Sequence, residues 1–261
     1  MSYEPTAVIR DEAARFATVL AEVDGATPVP SCPGWTAADL LWHLTEVHLF
    51  WSSVIASGAT TDEQVQAIEE HPPVRPTTRS EVLSRRARAT EDLLAALLSG
   101  PLDAPAWSWF PPDQSVGFTV RMQTHEATIH RVDAELTAGL PISPIRADVA
   151  AAGIDHVLDV MWNWVPTSAE KVPLGVVELR PTETQPRLVE LYRWTGEAWG
   201  QPFKDQIGGR RAPDGVHPDA VIEGPAQQLD LLVWSRPAIV TGSGDGELLN
   251  AFDELIAFGI Q

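Results

Sequence analysis

The spacing of apolar residues changes once along this chain, near Pro173, and this change most constrains the fold. Before it, apolar residues recur every three or four positions, as in residues 9–20, which predicts amphipathic helices. After it, residues 176–179 and 188–194 alternate between apolar and polar, which predicts strands. Helices followed by strands favour an α+β fold, and 261 residues allow two modest domains.

Four helical segments are predicted to form an N-terminal bundle. They cover residues 5–23, 36–57, 78–98 and 118–137. The polar, proline-bearing stretch 62–76 is predicted to be a loop with a short helical turn. A fifth helix over residues 147–164 is expected to pack on the bundle, so we place the first domain at residues 1–165.

The second domain, residues 166–261, is predicted to mix strands and helices. Besides the two strands above, a short strand is expected at 219–223, and helices at 226–234 and 246–258. Thr195-Gly196-Glu197 has the composition of a hairpin turn. The second domain is therefore expected to be a small α/β unit.

The acidic composition argues against nucleic acid as a partner. The chain has 18 Lys and Arg against 36 Asp and Glu, a formal net charge of −18, whereas a phosphate backbone attracts clustered positive charge. No apolar run is long enough to span a bilayer, and the first residues lack the basic and apolar regions of a signal peptide. We therefore expect a soluble, cytoplasmic protein that binds neither nucleic acid nor membrane.

The single cysteine, Cys32, excludes an internal disulfide. It has two possible roles: a nucleophile beside Pro33 and Gly34, or a small apolar residue packed at a helix entry. Because no obvious base stands at catalytic spacing from it, packing is favoured.

Glu126 and His130 stand four residues apart in a predicted helix. Side chains at i and i+4 lie on one face, so these two can bind one metal ion, although an ordinary surface pair has the same spacing. His125 and His130 are five apart, about 140° around the helix, and therefore do not form the two-histidine pair of a zinc-protease signature. His125, next to Glu126 in the sequence, remains a candidate for a residue that orients a metal ligand without binding the metal itself.

The candidate for a third ligand is His43, far upstream. Thr36 and Asp39 have the form of a capping box, which starts a helix and sets His43 about two turns into it. Two histidines and one carboxylate leave coordination positions open for water and substrate, as a catalytic metal site requires. A lone histidine is more often packed or exposed than a ligand. His48, on a different face, is interpreted as a pocket or surface residue.

Residues 106–113 form an aromatic loop before the helix that carries Glu126. Exposed aromatic side chains next to a metal are typical of a pocket wall. The alternative, that Trp107 and Phe110 plug the end of the bundle, fits the sequence equally well.

Three short motifs carry a family resemblance: Cys-Pro-Gly-Trp-Thr at 32–36, Asp-Leu-x-x-His-Leu at 39–44 and His-Glu-x-x-x-His-Arg-x-Asp-Ala at 125–134. Together they resemble the mycothiol-dependent maleylpyruvate isomerase family of the DinB-like superfamily. The resemblance implies a DinB-like four-helix bundle followed by a small α/β domain similar to sterol-carrier folds. It also implies a divalent metal, usually zinc, held by His43, Glu126 and His130. The match to the second domain is weaker and rests on residues 219–224 and 232–236.

The resemblance implies a chemistry as well. The family uses mycothiol, a low-molecular-weight thiol, as cosubstrate, and a metal with open positions binds a thiol and depresses its pKa. The thiolate attacks an electrophilic small molecule. It then leaves after rotation, as in cis-trans isomerisation of the maleylpyruvate type, or stays attached, as in thiol transfer. The ligand set does not distinguish these outcomes.

An anionic substrate such as maleylpyruvate would call for an arginine, which binds carboxylates with two hydrogen bonds. Our catalytic candidates are Arg131, beside His130, and Arg236 in the second domain. The alternatives are a helix-face salt bridge of Arg131 with Asp133 or Glu135, and a surface ion pair for Arg236. Two rival functions are a non-catalytic metal- or small-molecule-binding protein and a structural protein with an accidental ligand set. Monomer and homodimer both fit the sequence.

Overall fold

The computed structural model describes residues 2–213 and 215–260. The chain forms two compact units, one ending at Ser143 and one beginning at Pro144. The border therefore precedes the one predicted at residue 165. The helix predicted over 147–164 packs on a helix of the second unit.

The N-terminal unit contains four long helices and a short one. They are α1 (Pro5–Ala21), α2 (Ala37–Ser57), α3 (Asp62–Glu69), α4 (Arg79–Leu97) and α5 (Val116–Thr137). The helix α5 packs mainly on α1, and α2 packs mainly on α4. The four long helices are those predicted. The short α3 extends what was predicted as a loop with one helical turn, because Thr61 and Gln64 form a capping box that starts it.

The predicted start of α2 is confirmed. The hydroxyl of Thr36 accepts a hydrogen bond from the backbone of Asp39, and the Asp39 carboxylate accepts one from the backbone of Thr36. Gly58 caps the end of the helix, and its φ of 68° is the left-handed conformation that glycine adopts at low cost. This fixed start places His43 in the second turn of α2.

The helix α5 is buried on nearly every side, yet many of its buried side chains are polar. Helices buried all round are normally apolar, and buried polar groups require partners. Most of the charged groups of α5 fall into two clusters. The metal cluster is defined as His43, Glu126, His130 and Asp133, and the arginine cluster as Glu12, Arg15, Arg131 and Glu135.

The C-terminal unit begins with α6 (Ala147–His156), which continues into a π-helical turn at Val157–Met161. Its described strands are β1 (Glu170–Pro181), β2 (Arg187–Ala198), β3 (Gln201–Arg211), β4 (Ala220–Gly224) and β5 (Thr241–Gly244). They form a five-stranded sheet in the order β3-β2-β1-β4-β5. Only the β1–β4 pair is parallel among the paired strands described. The helices α7 (Ala226–Val233) and α8 (Gly246–Phe258) lie where they were predicted.

The hairpin turn predicted at residues 195–197 is wrong. Strand β2 continues to Ala198, and the turn is made by Trp199 and Gly200, whose φ values are 51° and 70°. Two consecutive positive φ angles suit a tight turn between antiparallel strands. Gly196 instead marks a shift in the pairing register with β3, as glycine inside a strand often does.

The α+β class is confirmed, with a helical N-terminal unit and a mixed C-terminal one. The likeness of the second unit to sterol-carrier folds stays a prediction. Within residues 2–213 and 215–260, no helix combines the length and the apolar character needed to cross a membrane.

Candidate metal centre

His43 from α2 meets Glu126 and His130 from α5. The Oε1 atom of Glu126 lies 3.2 Å from Nε2 of His43 and 3.3 Å from Nε2 of His130. The three potential ligand atoms lie within 4.8 Å of one another. Donors bound tetrahedrally at about 2.1 Å from one metal are spaced by roughly 3.4 Å. Two imidazole nitrogens and one carboxylate oxygen therefore fit a divalent cation such as zinc.

One side of this group is closed and the other is open. The His130 side chain is only 5% exposed, whereas those of His43 and Glu126 are 33% and 24% exposed. In the described part of the chain, no lysine or arginine forms an ion pair with Glu126. The Glu126 carboxylate therefore faces imidazoles rather than lysine or arginine, on a side of the group that solvent reaches.

The pKa values of the two α5 residues show how strongly they interact. Burial raises the pKa of the Glu126 carboxyl, but His130 and His43 outweigh burial and hold that pKa well below its usual range. Burial lowers the pKa of His130, but Glu126 and Asp133 outweigh it and raise the pKa to about 9. A divalent metal at this site would replace the proton of His130 as the partner of Glu126.

Asp133 belongs to the site, and the sequence interpretation missed this role. Its Oδ2 atom lies 2.9 Å from Nδ1 of His130, and both side chains are buried. The signal was present in the sequence, because residues at i and i+3 of a helix are neighbours. We had considered Asp133 only as an alternative partner for Arg131.

Trp35, from the turn before α2, covers the two histidines. Its ring centroid lies 4.7 Å from that of His43 and 6.3 Å from that of His130, and it stacks nearly parallel to the latter. The His43 and His130 rings themselves meet edge to face at 4.8 Å. A half-buried aromatic ring thus forms one wall of the candidate centre.

Arg131 does not have the anion-binding role we expected. Its guanidinium, only 1% exposed, donates to Glu12 at 2.6 Å, to Glu135 at 2.8 Å and to the Ser143 carbonyl at 3.0 Å. Burial lowers its pKa, but the two carboxylates outweigh burial and raise it. These contacts occupy the donors that a substrate carboxylate would need, so Arg131 belongs to the arginine cluster. The salt bridge with Glu135 was the alternative the sequence offered.

Arg236 is likewise buried, at 5% exposure. Its Nη1 atom donates to the backbone carbonyls of Trp234 at 2.6 Å and Ile260 at 2.8 Å. The guanidinium therefore fastens the end of the chain to the end of α7. A substrate-binding role for Arg236 stays a prediction, and the alternative of a surface ion pair does not describe this buried residue.

Three further candidates are buried and lie outside the ligand triad. His48 accepts a hydrogen bond from Arg86 at 2.9 Å, and burial and the Arg86 charge hold its pKa well below the usual range. It is therefore a core residue rather than a pocket or surface one. His125 is buried as well, at 2% exposure. Cys32 packs in the core of the bundle, as the favoured interpretation predicted.

The aromatic loop contributes packing. Trp107 stacks on Trp51 at 5.7 Å and donates to Asp62 at 2.6 Å. Phe110 stacks on Phe118 of α5 at 5.8 Å. These contacts favour the second of the two roles considered for the loop.

Comparisons with known proteins bear on the family of the N-terminal part and on the fold. The family model described as the mycothiol maleylpyruvate isomerase N-terminal domain matches residues 7–135, a span that holds all three ligand candidates. Two solved structures, the mycothiol-dependent maleylpyruvate isomerase and its histidine-to-alanine mutant, are similar in fold with a TM-score of 0.57 and 15% identity. Each match covers 92% of both chains. No curated protein is similar in sequence.

The resemblance recognised in the sequence is therefore confirmed: residues 7–135 match the model of the mycothiol maleylpyruvate isomerase N-terminal domain family. The coverage of 92% extends the structural similarity beyond this domain. At 15% identity, it establishes a shared fold.

Proposed function

We propose that this chain is an enzyme that holds a divalent metal at His43, Glu126 and His130. With it the enzyme activates a low-molecular-weight thiol, mycothiol, for attack on an electrophilic small molecule. The reaction is cis-trans isomerisation of the maleylpyruvate type or thiol transfer. Zinc is the proposed metal, because two imidazoles and one carboxylate with open positions are a common catalytic zinc set.

The observation that carries this proposal is the position of Glu126 between two imidazole nitrogens. Its Oε1 atom lies 3.2 and 3.3 Å from them, on a partly exposed surface. Ligands from two helices that converge at this spacing match a catalytic site with open positions better than a surface ion pair.

The buried position of Cys32 supports a mechanism in which the reacting thiol comes from solution. Cys32 is the single cysteine, and it is 2% exposed with its Sγ atom 3.7 Å from an Asp133 oxygen. A buried thiol that donates to a carboxylate is not presented to a substrate. A thiol nucleophile must therefore be supplied from solution.

When bound, the metal supplies a Lewis acid that lowers the pKa of a thiol. For isomerisation, the thiolate sulfur forms a bond to one carbon of the substrate's double bond, and the π electron pair moves to the conjugated carbonyl oxygen. Rotation about the resulting single bond follows. The carbon–sulfur bond then breaks, which restores the double bond and the thiolate.

The chain's own residues prepare this chemistry. The imidazoles of His43 and His130 each offer one ring nitrogen to a metal, and Glu126 offers a carboxylate whose lowered pKa keeps it ionised at neutral pH. Trp35 shields one side of the imidazoles from water. The exposed fractions of His43 and Glu126 leave an approach for thiol and substrate.

Metal content tests the first half of the proposal. Elemental analysis of the wild-type chain should give one divalent ion per chain, which His43→Ala and His130→Ala should lose. The matched control is His71→Ala, because His71 is an exposed histidine outside the ligand group. Absence of metal from the reconstituted wild type would contradict the proposal.

Turnover tests the second half. The metal-loaded chain should isomerise maleylpyruvate, or couple mycothiol to an electrophile, only when mycothiol is present. Chelation should abolish the activity, and adding zinc should restore it. A chain that binds metal but turns over neither class of substrate would contradict the enzyme proposal and favour a non-catalytic binding protein on the same fold.

A further inference from the structure

Both ring nitrogens of His130 are engaged. Its Nε2 atom faces Oε1 of Glu126 at 3.3 Å, and its Nδ1 atom faces Oδ2 of Asp133 at 2.9 Å. Since an imidazole presents a metal with one nitrogen only, the partner of the other nitrogen decides which one carries the proton. The Asp133 carboxylate keeps the proton on Nδ1 and leaves the lone pair of Nε2 for a metal.

Asp133 is itself held in place. Its side chain is fully buried, and its Oδ1 atom accepts a hydrogen bond from the Ser31 hydroxyl at 2.6 Å. Its Oδ2 atom accepts a weaker one from the Cys32 thiol at 3.7 Å. A buried carboxylate is stable only when its oxygens are hydrogen-bonded or paired. Three donors from two parts of the chain therefore fix the orientation of this carboxylate.

We infer that Asp133 is a positioning residue for the metal ligand His130, and that Ser31 and Cys32 hold it in that role. This inference rests on the proposed metal site. It assigns a purpose to the lone cysteine, which neither attacks a substrate nor merely fills space. The thiol donates to the carboxylate that orients a ligand.

The turn that carries Ser31 and Cys32 makes this arrangement stiff. Val29 donates its backbone N–H to the Trp35 carbonyl at 2.9 Å, and Trp35 donates to the Cys32 carbonyl at 3.1 Å. The same turn leads into α2, which carries His43, and its Trp35 ring covers both histidines. One structured turn thus ties the ligand of α2 to the ligands of α5.

Metal affinity, rather than activity, tests the inference. We would measure Co²⁺ and Zn²⁺ affinity by competition with a chelator, and record the visible absorption of the Co²⁺ form. Asp133→Asn keeps the shape but loses the charge, so it should weaken binding by about 10- to 100-fold, the range expected when the partner of a metal-bound histidine is removed. It should also change the Co²⁺ spectrum. The matched control is Asp92→Asn, an exposed acid on α4 that should leave both unchanged.

Smaller changes test the two donors. Ser31→Ala and Cys32→Ala should each weaken metal binding less than Asp133→Asn, and Cys32→Ser, which retains a donor, should bind more tightly than Cys32→Ala. Circular dichroism of the metal-free variants separates positioning from folding. A variant with wild-type helicity and weakened metal binding supports a positioning role. If Asp133→Asn does not fold, the metal affinity of Ser31→Ala is the test of that role.

Two results would overturn the inference. Asp133→Asn with the affinity and Co²⁺ spectrum of Asp92→Asn would show that Asp133 positions nothing, while leaving the proposed function intact. A wild-type chain that binds neither Co²⁺ nor Zn²⁺ would overturn the proposed function and this inference together.

Discussion

The metal cluster and the arginine cluster stand side by side on α5, and they use buried charge in opposite ways. Arg131 and Arg15 face Glu12 and Glu135, so two cations balance two carboxylates. In the metal cluster, carboxylates meet imidazoles, whose nitrogens carry lone pairs as well as protons. The first cluster is complete without a ligand, and the second gains a suitable partner when a divalent cation binds.

The geometry of the two clusters follows the same division. Each Glu135 oxygen already accepts hydrogen bonds within the protein: Oε1 from Arg15 at 2.9 Å and from the Ser143 hydroxyl at 2.6 Å, and Oε2 from Arg131 at 2.8 Å. Glu126 has one oxygen between two imidazole nitrogens and a partly exposed side chain. Buried charge that is fully paired needs no further ligand, whereas lone pairs that converge near solvent are suited to bind a cation.

The largest expected effect comes from removing the charge of the metal cluster. Glu126→Gln keeps the side-chain shape but replaces the shared oxygen ligand by a weak one. Metal affinity should fall by more than the roughly 100-fold expected at most for a residue that only orients a ligand. Chelator competition measures this, with Glu91→Gln, an exposed glutamate of α4, as the control. Retention of wild-type affinity would remove Glu126 from the ligand set.

The next effect should be on stability alone. Arg131→Met fills a similar volume but leaves the buried carboxylate of Glu135 and the partly buried carboxylate of Glu12 without their main cation. Breaking a buried ion pair in this way costs about 3–5 kcal/mol of the free energy of unfolding. We expect the metal content to stay at the wild-type level, because Arg131 contacts no ligand in the proposed site.

Urea unfolding and elemental analysis of the same samples check whether Arg131→Met reduces stability without reducing metal content. Arg146→Ala is the control, since Arg146 pairs with Asp148 on the surface and is 64% exposed. An exposed pair contributes about 0–1 kcal/mol. If Arg131→Met instead lost the metal and kept its stability, the assignment of the two clusters would be reversed.

Much of the N-terminal unit was predictable because its signals are local. The capping box at Thr36 fixed the start of α2, and the i, i+4 spacing on α5 put Glu126 and His130 on one face. That His43 would approach them depends on how α2 and α5 pack, which no local pattern contains. The residue pattern offered His43 only as a candidate for the third ligand, and the family resemblance strengthened that candidate.

The errors have physical causes as well. Arg131 stands next to His130 in the sequence, but consecutive helical residues point about 100° apart, so its guanidinium reaches Glu12 of α1 instead. Gly196 has the composition of a turn, yet cross-strand pairing carries β2 past it to Ala198. In each case a tertiary contact outweighed a local signal.

The smallest expected effect is a dependence of stability on pH that, of the two clusters, only the metal cluster shows. The pKa of His130 is raised to about 9 in the metal-free protein, above its ordinary value of 6.5. The resulting stability is fully present below pH 6.5 and is lost as pH rises through 9. Glu126, with a lowered pKa, stays ionised across this range. The metal-free chain should therefore lose about 1–2 kcal/mol between pH 7 and 9.

The zinc-saturated chain is the reference for this measurement, because zinc has already displaced the proton of His130. The urea midpoint of the zinc-saturated chain should exceed that of the metal-free chain, and this difference in midpoint should increase from pH 7 to pH 9. Arg86, whose pKa burial lowers to about 9, titrates in both forms and cancels from their difference. The arginine cluster should not contribute to a pH dependence between pH 7 and 9, because the pKa of Arg131 is raised and that of Glu135 is lowered, away from this range. The Arg131→Met variant should thus show the same increase in the difference in urea midpoint. A difference that stays constant from pH 7 to pH 9 would mean that proton and metal do not compete for His130.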